Sequence, residues 1–503
     1  MKRSILLLLT LLMALPLMAQ KTRQQALLEY QARRRKAYTE FSANYRKACS
    51  EFMRKRWEAF RTHAPLPMPE RKEPTAPIVK QPDAPTVPTP VQIPIDQVVD
   101  LRPTAPATPA GPTPKPATPT TPIRPATPST PQKPATPAPQ PKTDLSRPLQ
   151  FTFYGTASSV TLKNTQKLRL SSLQENAVAD AWDKIAGGSY DQAARECLEL
   201  KKQLRLNDWG YYDLVRTVAN AYYGNNTNES ILLQSFLMAE GGYKMRLARG
   251  DNRLFLLLAL SDKIYAQPYF EIDGTTFYLL DKGKYASSYN ICNFSISGEK
   301  SLSLKMTDLP LLTRKAGTAT TRKDKTANIT TTVTPDLNLL GFLNNYPACD
   351  WEIYAGAKLS SATSSQLLPS LRQAIAGKSQ REAADILLHY LHRAYSYKTD
   401  QQQFGIERTL FAEEMFGYPH SDCEDRSILY ARLIEELLQL PVVLLYYPEH
   451  IATAVCFTEQ VSGDYVQVGG RKYVVCDPTY MGADVGEAMP EYKKVSARII
   501  RIN

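Results

Sequence analysis

Proline placement constrains this chain more than any other feature: of 37 prolines, 26 lie between Pro65 and Pro148. Proline fixes φ and has no N–H to give to a ladder, so a stretch this rich in it cannot form helix or sheet interiors. The same four residues recur at Pro106-Ala107-Thr108-Pro109, Pro116-Ala117-Thr118-Pro119, Pro125-Ala126-Thr127-Pro128 and Pro134-Ala135-Thr136-Pro137. Residues 64–148 are therefore expected to be a disordered Pro/Thr/Ala-rich linker with polyproline II character, spanning up to roughly 260 Å at about 3.1 Å per residue. The formal charge of +12 is equally uneven. Residues 21–63 carry 12 Lys and Arg against 4 Asp and Glu, whereas 149–503 carry 38 basic and 39 acidic residues. Basicity thus belongs to the N-terminal part, and nucleic-acid binding by the body is not expected.

Lys2 and Arg3 precede an apolar run from Ile5 to Leu15, followed by Leu17-Met18-Ala19. This order predicts a signal peptide over 1–19 and an exported protein, periplasmic, cell-surface or secreted. No later stretch reaches the 18 apolar residues a transmembrane helix needs, so none is expected. Residues 20–63 predict a basic amphipathic helix, with Leu27, Tyr30, Tyr38, Phe41, Tyr45, Phe52 and Phe60 mostly three, four or seven apart. Through residues 21–62 such a helix could meet an anionic envelope surface or a partner helix, or dock its aromatic stripe on the body.

The remaining 355 residues, 149–503, can hold two domains. The fold class predicted is α+β. Residues 149–312 read as a helical region with a small β segment: a strand at Phe151 to Tyr154, helical periodicity over 172–187, 189–203, 208–224 and 230–248, and a hairpin turning at Asp273-Gly274. A polar stretch, 313–335, reads as a linker. Residues 336–503 then predict a strand at Trp351 to Tyr354, helices over 364–376 and 380–396, a helix from Asp422 to about Leu440, and strands near 442–447, 451–457, 464–468 and 472–477.

Seven cysteines (49, 197, 292, 349, 423, 456 and 476) show no CxxC pairing, and most suit small buried positions. Cys423 differs. Ser421-Asp422-Cys423-Glu424 predicts a capping box, with Ser421 as N-cap and Glu424 three residues on, and places Cys423 in the first helical turn. There the helix dipole favours a thiolate, while Asp422, Glu424 and Asp425 oppose it, so a histidine is needed. His389 and His392 fall on the polar side of a helix, and His420 belongs to the loop before Cys423. His450 opens a strand, and Asp477 closes another 27 residues later, where its carboxylate can fix the imidazole tautomer. Zinc ligation by Cys423, His450 and Asp477 is chemically allowed but lacks a fourth ligand, so no metal or cofactor is expected.

These motifs resemble the transglutaminase-like superfamily, in the order Asp422-Cys423-Glu424-Asp425-Arg426-Ser427, His450-Ile451-Ala452-Thr453-Ala454-Val455 and Cys476-Asp477-Pro478-Thr479-Tyr480, with Tyr395-Ser396-Tyr397 through Glu407 similar to an upstream segment of bacterial members. The resemblance covers about 336–490. It implies a papain-type core at 336–503 with Cys423 as nucleophile, His450 as general base and acid and Asp477 as its orienter. It further implies a thioester intermediate formed on a protein or peptide substrate, with the Cys423 N–H and an upstream donor holding the oxyanion. Tyr397, or one of Gln401, Gln402 and Gln403, is the candidate donor, while Ser421, Asp422 and Asp425 brace the helix start. Hydrolysis is favoured over amine transfer, because water is always present and its exclusion demands a closed acyl site. The alternative is an inactive relative acting as a surface-tethered binding or scaffold protein.

Overall fold

The computed structural model describes residues 25, 28–29, 43–69, 78–81, 89–99, 148–281, 285–295 and 297–502. The expected signal peptide, the Arg33 to Lys36 cluster and the repeat-bearing stretch 100–147 lie outside them. Helices and antiparallel sheets segregate along the described chain, which is α+β.

In the first half, helices Glu175–Ala186, Asp191–Gln203, Asp208–Tyr223 and Asn228–Glu240 pack on one another and on a six-stranded antiparallel sheet. The sheet runs Glu58–Phe60, Tyr289–Cys292, Met245–Gly250, Arg253–Ala259, Thr275–Leu279, Tyr269–Ile272. It is a full layer rather than the small β segment expected. The helix expected over 230–248 ends at Glu240, because Gly241 and Gly242 close it: their N–H groups bond Leu237 O and Ala239 O, and Gly242 takes φ +77°. Met245–Gly250 is instead the central strand of the sheet. The Asp273-Gly274 hairpin forms as expected, both residues having positive φ (48° and 69°) as a two-residue turn between twisted strands requires.

The N-terminal helix is shorter than 20–63. Among the described residues, 25, 28, 29 and 43–53 are helical and the helix ends at 53, burying Tyr45, Cys49, Met53 and, just beyond, Trp57 against the body. The chain then forms strand Glu58–Phe60, which pairs with Tyr289–Cys292 and covers that sheet edge. Arg46 bonds Glu240 at 2.9 and 2.8 Å, and Arg54 bonds Asp180 and Asp183 at 2.7 Å each. This part of the basic segment is therefore docked on the body, and these two cations are occupied by it.

The expected linker 64–148 is likewise ordered in part. Ile93 is buried, its N–H bonds Tyr465 O, and Ile95–Val99 joins the second sheet beside Ala497–Arg501 in parallel. Alternating Val91, Ile93 and Ile95 carry a strand pattern that the surrounding prolines conceal, and Pro94 is tolerated because the strand lies at an edge. The expected polar linker 313–335 contains a hairpin, Thr320–Asp324 with Ile329–Val333. Its β-branched threonines suit a pleated surface, and its inward face buries Arg322, Asp324, Ile329, Thr331 and Val333. No polar gap separates two cores: one apolar cluster runs from Tyr45 through Trp182 and Leu247 to Ile428 and Ile502.

In the second half, helices Ser361–Ala374 and Gln380–Ala394 precede the long helix Cys423–Leu438, which packs on a sheet ordered Tyr465–Val468, Arg471–Cys476, His450–Val455, Val442–Tyr447, Ala497–Arg501, Ile95–Val99. The strand expected at Trp351 to Tyr354 is helix Trp351–Gly356; a four-residue apolar run cannot by itself distinguish the two. Among the described residues no helix is long and apolar enough to cross a membrane.

Candidate active site

Cys423 is the first residue of helix Cys423–Leu438, but the cap lies one residue later than expected. Asp422 is the N-cap, and its N–H donates to Asp425, three residues on, at 3.4 Å; Asp425 also accepts from Leu410 N at 2.8 Å. Ser421 is in a short strand, His420–Ser421, paired in parallel with Ser396–Tyr397, and its backbone is therefore not at the cap. An aspartate one position nearer the helix with a carboxylate at the right offset outcompetes the serine.

Four positions along from Cys423 and on the same helical face, the Ser427 hydroxyl donates to Ile451 O at 3.0 Å. That bond seats the first two turns of the helix against the start of strand His450–Val455. His450 and Asp477 meet because adjacent strands place them on one face: Ala454 pairs with Val475, and both residues share that alternation. His450 Nε2 donates to Asp477 Oδ2 at 2.7 Å, both side chains 2% exposed. Thr479 N, Thr479 Oγ1 and Tyr480 N donate to the other oxygen, Asp477 Oδ1, at 3.0, 2.9 and 3.2 Å. Burial alone would raise Asp477, but the His450 charge and hydrogen bond and the Thr479 donors outweigh it, so the carboxyl is held below its usual range. Asp477 is thus the ionised acceptor, and the proton in the bond is His450's.

Cys423 has no exposed surface, and its Sγ donates to Glu424 Oε2 at 3.3 Å. Around it lies a buried carboxyl group cluster. Burial raises Asp422, followed by the charges of Glu424, Asp425 and Asp400; Asp425 is raised by burial and then by Glu424; Asp400 is pushed up to about 10 by burial, Glu424 and Asp425. Ligating atoms of Asp400, Asp422 and Asp425 lie within 4.8 Å of one another, as do those of Asp400, Glu407 and Glu424. A buried cation nearby is Arg426, 1% exposed, which donates to Tyr395 O at 2.7 Å and Ser421 Oγ at 3.3 Å. Burial lowers its guanidinium to about 10 against the opposing pull of Tyr397, Asp422, Asp425 and Cys423.

The oxyanion candidates divide. Gln403 is partly committed: its amide donates to His420 O and accepts from His420 N, both at 3.2 Å, which clamps the loop before Cys423 and uses one of its two amide hydrogens. Gln401 and Gln402 are exposed. Tyr397 pairs in register with Ser421, two residues before Cys423, with the Arg426 guanidinium 5.3 Å from its ring centre. His420 is not brought to Asp477.

Two participants had no sequence signal. His392, expected on a polar helix face, is buried and donates Nε2 to the Asp477 backbone carbonyl at 3.1 Å. Its partner on the helix, His389, bonds Asp484 instead, at 2.8 Å. Tyr492, on a short 3₁₀ turn, stacks on His450 with ring centres 5.2 Å apart and planes at 16°. Burial, then the charges of Glu449, Glu491, Cys423 and Asp477, push its hydroxyl up to about 12.

The described contacts thus give a buried His450–Asp477 pair and, at the start of the helix that Ser427 seats against the His450 strand, a buried cysteine. Comparison with protein-family models, curated proteins and solved structures returns no match to this chain.

Proposed function

We propose that this chain is an exported cysteine enzyme of the transglutaminase-like type, attacking peptide or glutamine-type amide bonds. The observation that carries the reading is the buried His450–Asp477 bond with the Cys423 helix docked on the same strand through Ser427. With Nε2 committed to Asp477, Nδ1 of His450 takes the Cys423 proton. The thiolate adds to the amide carbonyl, and the Cys423 N–H with Tyr397 as second donor holds the oxyanion. The tetrahedral adduct expels the amine, which leaves with the proton held by His450. Water, activated by the same imidazole, then cleaves the thioester to acid and free thiol. Water is the preferred acceptor over a second amine for the reason of abundance already given. Export rests on the Lys2-Arg3 leader pattern.

The full burial of Cys423 and its bond to Glu424 favour a second reading, a binding or scaffold protein that keeps the fold without the chemistry. Iodoacetamide labelling near neutral pH separates the two. The enzyme reading expects His450→Ala to slow Cys423 labelling; equal rates at rising pH in both proteins would mean an unactivated thiol. Casein with a fluorescent amine then distinguishes fragments, from hydrolysis, from incorporated label, from amine transfer.

A further inference from the structure

A substrate carbonyl cannot reach a sulfur with no exposed surface, so an active chain must open above Cys423. A segment from the proline-rich part of the chain packs on the loop that follows Asp477. Residues 78–81 run alongside the loop that follows Asp477: Lys80 N donates to Met481 O at 2.9 Å and Met481 N donates to Ile78 O at 2.8 Å. Lys80 Nζ pairs with Glu487 at 2.7 Å. Ile78 packs into a small apolar cluster of Tyr480, Ala483 and Met489, and Tyr492, the residue stacked on His450, packs into the same cluster. Met481 also touches Arg426, whose Nη1 lies 3.8 Å from its sulfur.

We infer that residues 78–81 are an intramolecular latch that keeps the loop after Asp477, and with it Tyr492, closed on His450, making the chain as folded a latent form that is activated when the latch is released. This rests on the enzyme reading of the site. The latch suits release. It contributes one bridge and one partly exposed ion pair rather than a strand, Val79 is 64% exposed, and Tyr492 sits on a 3₁₀ turn of only three residues. Described residues earlier and later in the sequence are bonded to the body as well: Leu66 O accepts from Ala266 N, and Ile93 N donates to Tyr465 O. Local release would expose Tyr492 and His450 without disturbing the shared core.

The test is the rate of iodoacetamide labelling at each cysteine of the full chain, in wild type, Lys80→Pro and Ile78→Asp. Lys80→Pro deletes the N–H donor and the ion pair together; Ile78→Asp removes the packing. The expected result is about tenfold or greater acceleration at Cys423 in both variants, with Cys197 and Cys292, buried in the first half of the chain, staying slow. Unchanged Cys423 labelling overturns the latch. So does equal acceleration at Cys197 and Cys292 in both variants, because the segment would then brace the whole fold. His450→Ala added to Lys80→Pro separates this inference from the enzyme reading: fast labelling that survives loss of His450 leaves the latch standing and removes the activated nucleophile.

Discussion

Asp477 is gripped by two histidines, His392 at its backbone carbonyl (3.1 Å) and His450 at its carboxylate (2.7 Å). The first of these bonds is made by an imidazole in a dry place: burial first, helped by the His389 and Arg426 charges and opposed by the bond to the Asp477 carbonyl and by the Asp477 charge, lowers His392 to about 4. The unfolded chain therefore takes up a proton between about pH 6.5 and pH 4 that the folded chain refuses, and stability falls as pH drops through that window. At pH 4.5 the loss from this one group is about 2.5 kcal/mol relative to pH 7. His392→Gln keeps a neutral donor and cannot titrate. Urea unfolding at the two pH values should show a decline smaller by about that amount than in wild type.

Asp477→Asn separates the turn from the tautomer. Asparagine retains an oxygen for Thr479 and Tyr480 but presents an N–H₂ to His450 Nε2 in place of a charged acceptor. The imidazole must then carry its hydrogen on Nδ1 and cannot accept the thiol proton. On the proposed chemistry, amide cleavage falls about 10³- to 10⁴-fold while the thermal midpoint hardly moves. Turnover of a casein or peptide substrate, beside a melting curve, checks both halves.

Arg426 is the buried cation facing Asp422 and Asp425. Arg426→Met leaves Tyr395 O without its donor and takes a positive charge from near two carboxyls that burial already raises, a loss of about 1 to 3 kcal/mol. Denaturant midpoints of wild type and variant give the comparison; an unchanged midpoint would mean that this guanidinium does not support the fold.

Local physics made part of this molecule visible in advance. The start of the Cys423 helix follows from its apolar spacing; the strand bearing His450 opens after the apolar run Val442 to Tyr447 that Pro448 ends, and the strand leading to Asp477 is a β-branched run ended by Pro478. The cap was off by one because Ser421 and Asp422 each have a carboxylate three positions on, and only the bridge to Tyr397 decides between them. Composition averaged over 85 residues hid the strand at Ile95–Val99, and a polar count hid the threonine hairpin before Asp336. Tyr492 and His392 have no local pattern at all: their places depend on which strand ends meet in space.

The hidden strand carries the last prediction. Ile93, 1% exposed, packs with Val443, Leu445 and Ile499 under the second sheet, while Ile95–Val99 covers the outer edge of Ala497–Arg501. Ile93→Asp would put a carboxylate in that apolar cluster with no cation given to it, so this segment should detach before the rest of the fold yields. Detachment bares a strand edge, which invites pairing with a second chain. The expected outcome is faster amide exchange at Val98, Val99 and Ile500 than at Leu247 in the first sheet, together with concentration-dependent association in sedimentation. Ile93→Val, which keeps the apolar contact at a cost of about 1 kcal/mol, should show neither; uniform loss of exchange protection through both sheets would mean that residue 93 supports the shared core rather than one edge.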